Sequence, residues 1–136
     1  MLTLALKQTL HEVVAAAPGV TLAIVFGSTA RGQEHAGSDL DVAVVCAPQL
    51  SCDVLELSAR LSVATGREVD VVDCAQAPIP LLDSIITEGV VVFERERGAE
   101  AQFRSRTLAM LETDRPWYRR MRDAWLQRVA ERGLHG

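Results

Sequence analysis

No stretch of this 136-residue chain approaches the roughly 18 apolar residues that a membrane-spanning helix needs, and the N-terminus has neither the basic start nor the cleavage site of a secretory signal. A soluble, cytoplasmic protein is expected. The three cysteines, Cys46, Cys52 and Cys74, are odd in number and lack CxxC spacing. They support neither a disulfide framework nor a thiolate zinc site, and reduced, partly buried thiols are expected. His11, His35 and His135 lie far apart, none in an HExxH pattern, so zinc chemistry is not expected. Aromatic residues are only 4% of an acidic chain with no nucleic-acid-binding motif, and direct nucleic-acid binding is not expected. Without a GxxxxGK[ST] loop or a GxGxxG turn, neither a P-loop nor a dinucleotide fold has support.

What is present suits one globular domain, at 49% hydrophobic and 24% charged residues. Leu2, Leu6, Leu10, Val13 and Ala17 recur at helical spacing and predict an amphipathic first helix ended by Pro18-Gly19. "TLAIVF" reads as a buried strand, "DLDVAVV" (39–45) as a second and "REVDVVD" as a third. Between the last two, a helix from about Ser51 to Thr65 is predicted to bury Leu50, Val54, Leu57, Leu61 and Ala64, with Gly66 as its C-cap. Pro78 and Pro80 open a short helix that Gly89 stops before the strand "VVVFE". The rest is helical. There, either Asp114 caps a new helix with Pro116 in its first turn, or Pro116 kinks a single long one.

This order predicts an α/β (α+β) fold, one mixed sheet packed with helices and ending in a C-terminal helix or helix pair. Residues 1–97 form the minimal domain and 98–136 its helical extension. Charge is uneven along it. Residues 104–136 hold eight arginines against four acids, whereas 1–103 hold six basic and fourteen acidic side chains. Trp117, Met121, Ala124, Trp125 and Val129 form an apolar stripe in the basic segment, a candidate docking surface.

The chemistry concentrates in "FGSTARGQEHAGSDLDVAVV", residues 26–45. Alternate residues of a strand share a face, so Asp39 and Asp41 project together while Leu40, Val42 and Val44 enter the core. Two carboxylates about 4 Å apart repel by roughly 4 kcal/mol at an effective dielectric of 20, so a proton, an arginine or a metal ion must offset them. Magnesium suits best, being held by carboxylates together with substrate phosphates. The preceding loop supplies the phosphate half: Gly27 permits close backbone approach, Ser28 offers a hydroxyl, Arg31 adds charge-assisted bonds, and a short helix opening at Ser28–Arg31 favours an anion. "VDVVD" offers a third carboxylate. Asp70 and Asp73 lie on opposite faces, so only one can join, and Asp70, inside the run, is the better candidate.

These residues resemble the GSxxRGxxxxxSDxDxxV signature of the nucleotidyltransferase superfamily that includes DNA polymerase beta, and the short layout looks most like the minimal nucleotidyltransferase (MNT) antitoxins paired with HEPN toxins. The resemblance implies transfer of a nucleoside monophosphate from a triphosphate to a hydroxyl. It places Gly27, Ser28, Arg31 and Ser38 on the nucleotide, and Asp39, Asp41 and Asp70 on two magnesium ions as the catalytic triad. For MNT antitoxins it implies AMP transfer from ATP to a tyrosine of a HEPN-domain toxin, an RNase silenced by the modification. Two alternatives stand beside this: a non-catalytic antitoxin acting by complex formation, and an enzyme modifying a small molecule such as an aminoglycoside.

Overall fold

The computed structural model describes residues 2–32, 39–113 and 115–132, without the side chains at 115–118, 121, 129 and 132. Predictions involving Ser38 and Asp114, and the Trp117, Met121 and Val129 side chains, lie outside the described residues.

Helix α1 spans Leu4–Ala15, capped by the Thr3 hydroxyl accepting from the Leu6 N–H, and seats Leu10 and Val14 in the core. Strand β1, Val20–Phe26, runs apolar on both faces, as a central strand must. Strand β2, Leu40–Cys46, pairs antiparallel with it, Phe26 opposite Asp41. Helix α2, Val54–Thr65, then crosses over to β3, Val69–Asp73, which lies parallel to β2 with Asp70 opposite Asp41. A 3-10 turn at Cys74–Gln76 leads to α3, Ile79–Glu88, and then to β4, Val90–Glu94, antiparallel to the other edge of β1. Two helices follow, α4 (Ala99–Thr113) and α5 (Arg115–Arg132), with Pro116 in the first turn of the second, the position where its missing N–H costs least. The sheet order is β3-β2-β1-β4.

The mixed sheet separates two apolar layers. On one face Leu10, Val14, Leu57 and Leu61 from α1 and α2 pack on Leu40, Val42, Val44 and Val69. On the other, Leu82, Ile85 and Phe103 from α3 and α4 meet Leu22, Ile24, Phe26 and Ala43. Asp41 shares the parity of Ala43 and so belongs to this second face.

Three local expectations are corrected. Helix α2 starts three residues later than predicted because the Asp53 carboxylate accepts from the Glu56 N–H and caps it there; Leu50 and Ala64 are exposed, Val54 half-buried, and Leu57 and Leu61 carry the burial. Gly66 does cap its C-terminus, at φ 70°. The segment Ser28–Arg31 is a hydrogen-bonded turn rather than a helix, closed by the Arg31 N–H donating to the Gly27 carbonyl at 3.1 Å. Cys46 and Cys52 are joined in a disulfide rather than reduced, because the turn after β2 brings their Cα atoms to 6.0 Å. Cys74 is the buried free thiol that was expected.

Candidate active site

The site lies at the end of the sheet where β1 finishes and β2, β3 and β4 begin. Period-two alternation puts Asp39, just before β2, on the face of Asp41, and the parallel register puts Asp70 directly beside Asp41 on that same face. Asp73 lies at the far end of β3, where its carboxylate accepts from the Ala75 N–H and caps the 3-10 turn. Asp70, and not Asp73, therefore shares the sheet face and the strand end of Asp39 and Asp41.

Electrostatics report the same convergence. The Asp41 carboxyl is held above the usual carboxylate range, first by its burial, then by the negative charges of Asp70 and Asp39, with the Arg31 guanidinium opposing them. Asp70, Asp39 and Arg31 therefore all lie within electrostatic reach of the partly buried Asp41. Among the described residues, no three His, Cys, Asp or Glu side chains are set so that they could hold a metal ion between them. The donor chemistry of Asp39, Asp41 and Asp70 nevertheless suits a hard divalent cation, since all three contribute carboxylate oxygens whose repulsion such a cation would relieve.

The adjoining turn is shaped by Gly27, whose φ is 78° and whose position leaves no room for a side chain: a Cβ there would lie 2.5 Å from Oδ2 of Asp41. Backbone and carboxylate thus meet directly. Thr29 is buried, and its hydroxyl accepts from Nη2 of Arg67 at 3.4 Å, tying the turn to the segment that enters β3. Arg31 donates through Nη1 to Oε2 of Glu88 at 2.8 Å, and the Ser84 hydroxyl donates to the same oxygen at 3.3 Å. Sequence reasoning missed Thr29, Arg67, Ser84 and Glu88. Thr29 lies inside the singled-out loop and was within reach; Glu88, 57 residues from Arg31, gave no local signal.

A family model described as "Polymerase beta, Nucleotidyltransferase" matches residues 8–98, which contain this entire site. The chain belongs to the polymerase beta nucleotidyltransferase family. It is 32% identical over 94 residues to the protein adenylyltransferase MntA of Shewanella oneidensis, covering 68% of this chain and 67% of that one. Its fold superimposes with a TM-score of 0.74 on a chain of a toxin-antitoxin crystallised with AMP-PNP, at 24% identity over 88% of this chain and 98% of that chain. It also superimposes, with a TM-score of 0.68 and 22% identity, on a chain of the tri-AMPylated Shewanella oneidensis HEPN toxin in complex with MNT antitoxin, covering 90% of this chain and 97% of the other. These likenesses establish the fold over most of the chain.

Proposed function

We propose that this chain is an antitoxin nucleotidyltransferase that transfers AMP from ATP to a tyrosine hydroxyl of a cognate HEPN RNase toxin and so neutralises it. The observation that carries this reading is the convergence of Asp39, Asp41 and Asp70 on one sheet face beside the Gly27-Ser28 turn. The relative named a protein adenylyltransferase, and the related folds crystallised with AMP-PNP and beside an AMPylated toxin, support the substrate and the partner.

In this reading Asp39 and Asp41 hold two magnesium ions and Asp70 completes one of their sites. Bound magnesium supplies positive charge to the α-phosphate and the departing pyrophosphate of an in-line displacement. Gly27 lets the triphosphate approach the backbone, Ser28 donates its hydroxyl, Arg31 adds charge-assisted bonds, and Ser38 joins them from the far end of the loop. Asp70 accepts or relays the proton of the attacking hydroxyl as its oxygen bonds to the α-phosphorus and the α–β phosphoanhydride bond breaks. Burial first, then the charges of Asp70 and Asp39, raise the Asp41 carboxyl above its ordinary range, and a cation bound there would favour its ionised form.

Residues 98–136 extend the same domain in this reading, since Phe103 of α4 sits in the second apolar layer. Helix α5 is the candidate docking arm. It touches α3, beside the site, yet Trp125 and Leu126 are 43% and 49% exposed, with Arg119, Arg120 and Arg128 exposed around them. Aromatic anchors among arginines are typical of binding hot spots. ATP and magnesium favour a cytoplasmic site of action, and among the described residues no helix is long and apolar enough to cross a membrane. The Cys46–Cys52 disulfide, of a kind rare in reducing compartments, runs against that placement, and a free-thiol titration of protein purified from cytoplasm decides it.

The deciding experiment mixes the chain, its cognate HEPN partner, magnesium and ATP, and weighs the partner by mass spectrometry. A gain of one or more AMP units is expected. Neutralisation of the RNase with no mass gain would instead establish inhibition by complex formation.

A further inference from the structure

Strand β2 ends at Cys46, about 16 Å from Asp41 at a rise of about 3.3 Å per residue. At that end of the sheet, away from the acids, a cleft of about 580 Å³ opens between β2, the 3-10 turn, α3 and α4. Small-molecule sites run from roughly 300 to 1,000 Å³. Val45, Leu82 and Phe103 give the cleft an apolar lining, and the turn that forms one wall is stapled by the Cys46–Cys52 disulfide. Cys74 lines it too, but burial and then the charge of Asp73 push its thiol up to about 12, so it offers surface and no nucleophile.

The polar groups are unevenly placed. Phe103, Arg106, Thr107 and Met110 recur at helical spacing and all line the cleft, so one face of α4 is turned to it. Thr9, Thr65, Thr87 and Thr113 each donate to the carbonyl four residues back in their helices. Thr107 does not. It is only 7% exposed, yet its hydroxyl has no hydrogen-bond partner among the described residues. Buried hydroxyls are normally satisfied, so a partner from the cleft is called for. Arg106, next in the chain, likewise makes no hydrogen bond or ion pair among the described residues. It also borders an adjoining cleft, where Arg95 and Arg97 outnumber Glu96. Asp73, the acid that lines the cleft, is engaged with the Ala75 N–H at 2.9 Å.

We propose that this cleft is a second binding site, for a small carboxylate with an apolar body, an aryl or medium-chain alkyl acid, whose oxygens accept from the Arg106 guanidinium and the Thr107 hydroxyl while its body lies on Val45, Leu82 and Phe103. A guanidinium can only donate and a hydroxyl can donate, so the group they share is an acceptor, and the lining sets the rest of the ligand. The site shares no residue with the nucleotide site proposed above and does not depend on it.

The test titrates 2-naphthoate and decanoate calorimetrically into the full chain, with 2-naphthamide and acetate as controls, and maps the bound probe by amide NMR. Saturable binding is expected to move the amides of residues 73–77 and 103–110 and to leave those of Gly27 and Asp41 in place. Without either the charge or the apolar body, the controls should bind at least about 10-fold more weakly. Arg106→Ala, at an exposed position, should weaken the acids about 10-fold. Thr107→Val should weaken them about threefold without lowering Tm, because it removes an unsatisfied hydroxyl at nearly constant volume. No saturable binding of either acid at millimolar concentration, shifts confined to other surfaces, equal affinity for the naphthamide, or unchanged affinity in both variants would each overturn the proposal and leave the nucleotide site standing.

Discussion

Gly27, the residue after β1, lies against the side chain of Asp41 on β2: a Cβ on the glycine would stand 2.5 Å from Oδ2 of the aspartate. Replacing Gly27 with alanine imposes two penalties, a left-handed φ on a residue with a Cβ and a displaced Asp41 carboxylate. Because misplacing a reacting group by about 1 Å can cost 10²-fold, Gly27→Ala is expected to lower AMP transfer about 100-fold. Turnover compared with circular dichroism separates this loss from unfolding.

Asp41 carries a second prediction, on stability. Its carboxyl is held above the ordinary carboxylate range, so ionisation costs more in the folded chain than in the unfolded one. The contribution of the protonated carboxyl is complete below the ordinary range and is lost as pH rises through the shifted value. Asp41→Asn should therefore raise the Tm of the metal-free protein at pH 7, with the gain fading toward acid pH. Added magnesium should raise the Tm of wild type and not of the variant, which thermal melts with and without EDTA would reveal.

Alanine at Asp39 or Asp41 is expected to cut AMP transfer by about 10³-fold or more, since a metal supplies several kcal/mol of transition-state stabilisation and each 1.36 kcal/mol is tenfold. Asp73→Ala, at the far end of β3, should leave turnover within about threefold, because a turn-capping carboxylate contributes only to stability. Equal losses at Asp70 and Asp73 in a single-turnover assay would contradict the assignment of the third acid.

Gly89 tests the scaffold alone. Alanine there meets a backbone carbonyl and a core side chain, neither of which can swing aside, so overpacking of about 1–3 kcal/mol is expected, read as a lower urea midpoint.

On α5, Trp125→Ala combined with Arg119→Glu should weaken the complex with the HEPN partner at least about 10-fold while leaving AMP-PNP affinity unchanged. Native mass spectrometry for the first quantity and calorimetry for the second keep docking and chemistry apart.

Much of the site was legible before any coordinates, because its logic is local. Period-two alternation alone puts Asp39 and Asp41 on one face and Leu40, Val42 and Val44 on the other, and steric exclusion around a Cβ makes Gly66 a helix stop and Gly27 a turn. The element order followed from the same short-range rules, and one boundary shifted where a side-chain cap competed with apolar periodicity, as Asp53 did at the start of α2.

Only the tertiary structure could seat Asp70 beside Asp41, bring Glu88 to Arg31 and join Cys46 to Cys52. Each of these depends on which strands become neighbours, in which direction, and how a connection turns back. Those choices are made by the packing of two apolar layers over the whole sheet, and a window of a few residues carries no record of them.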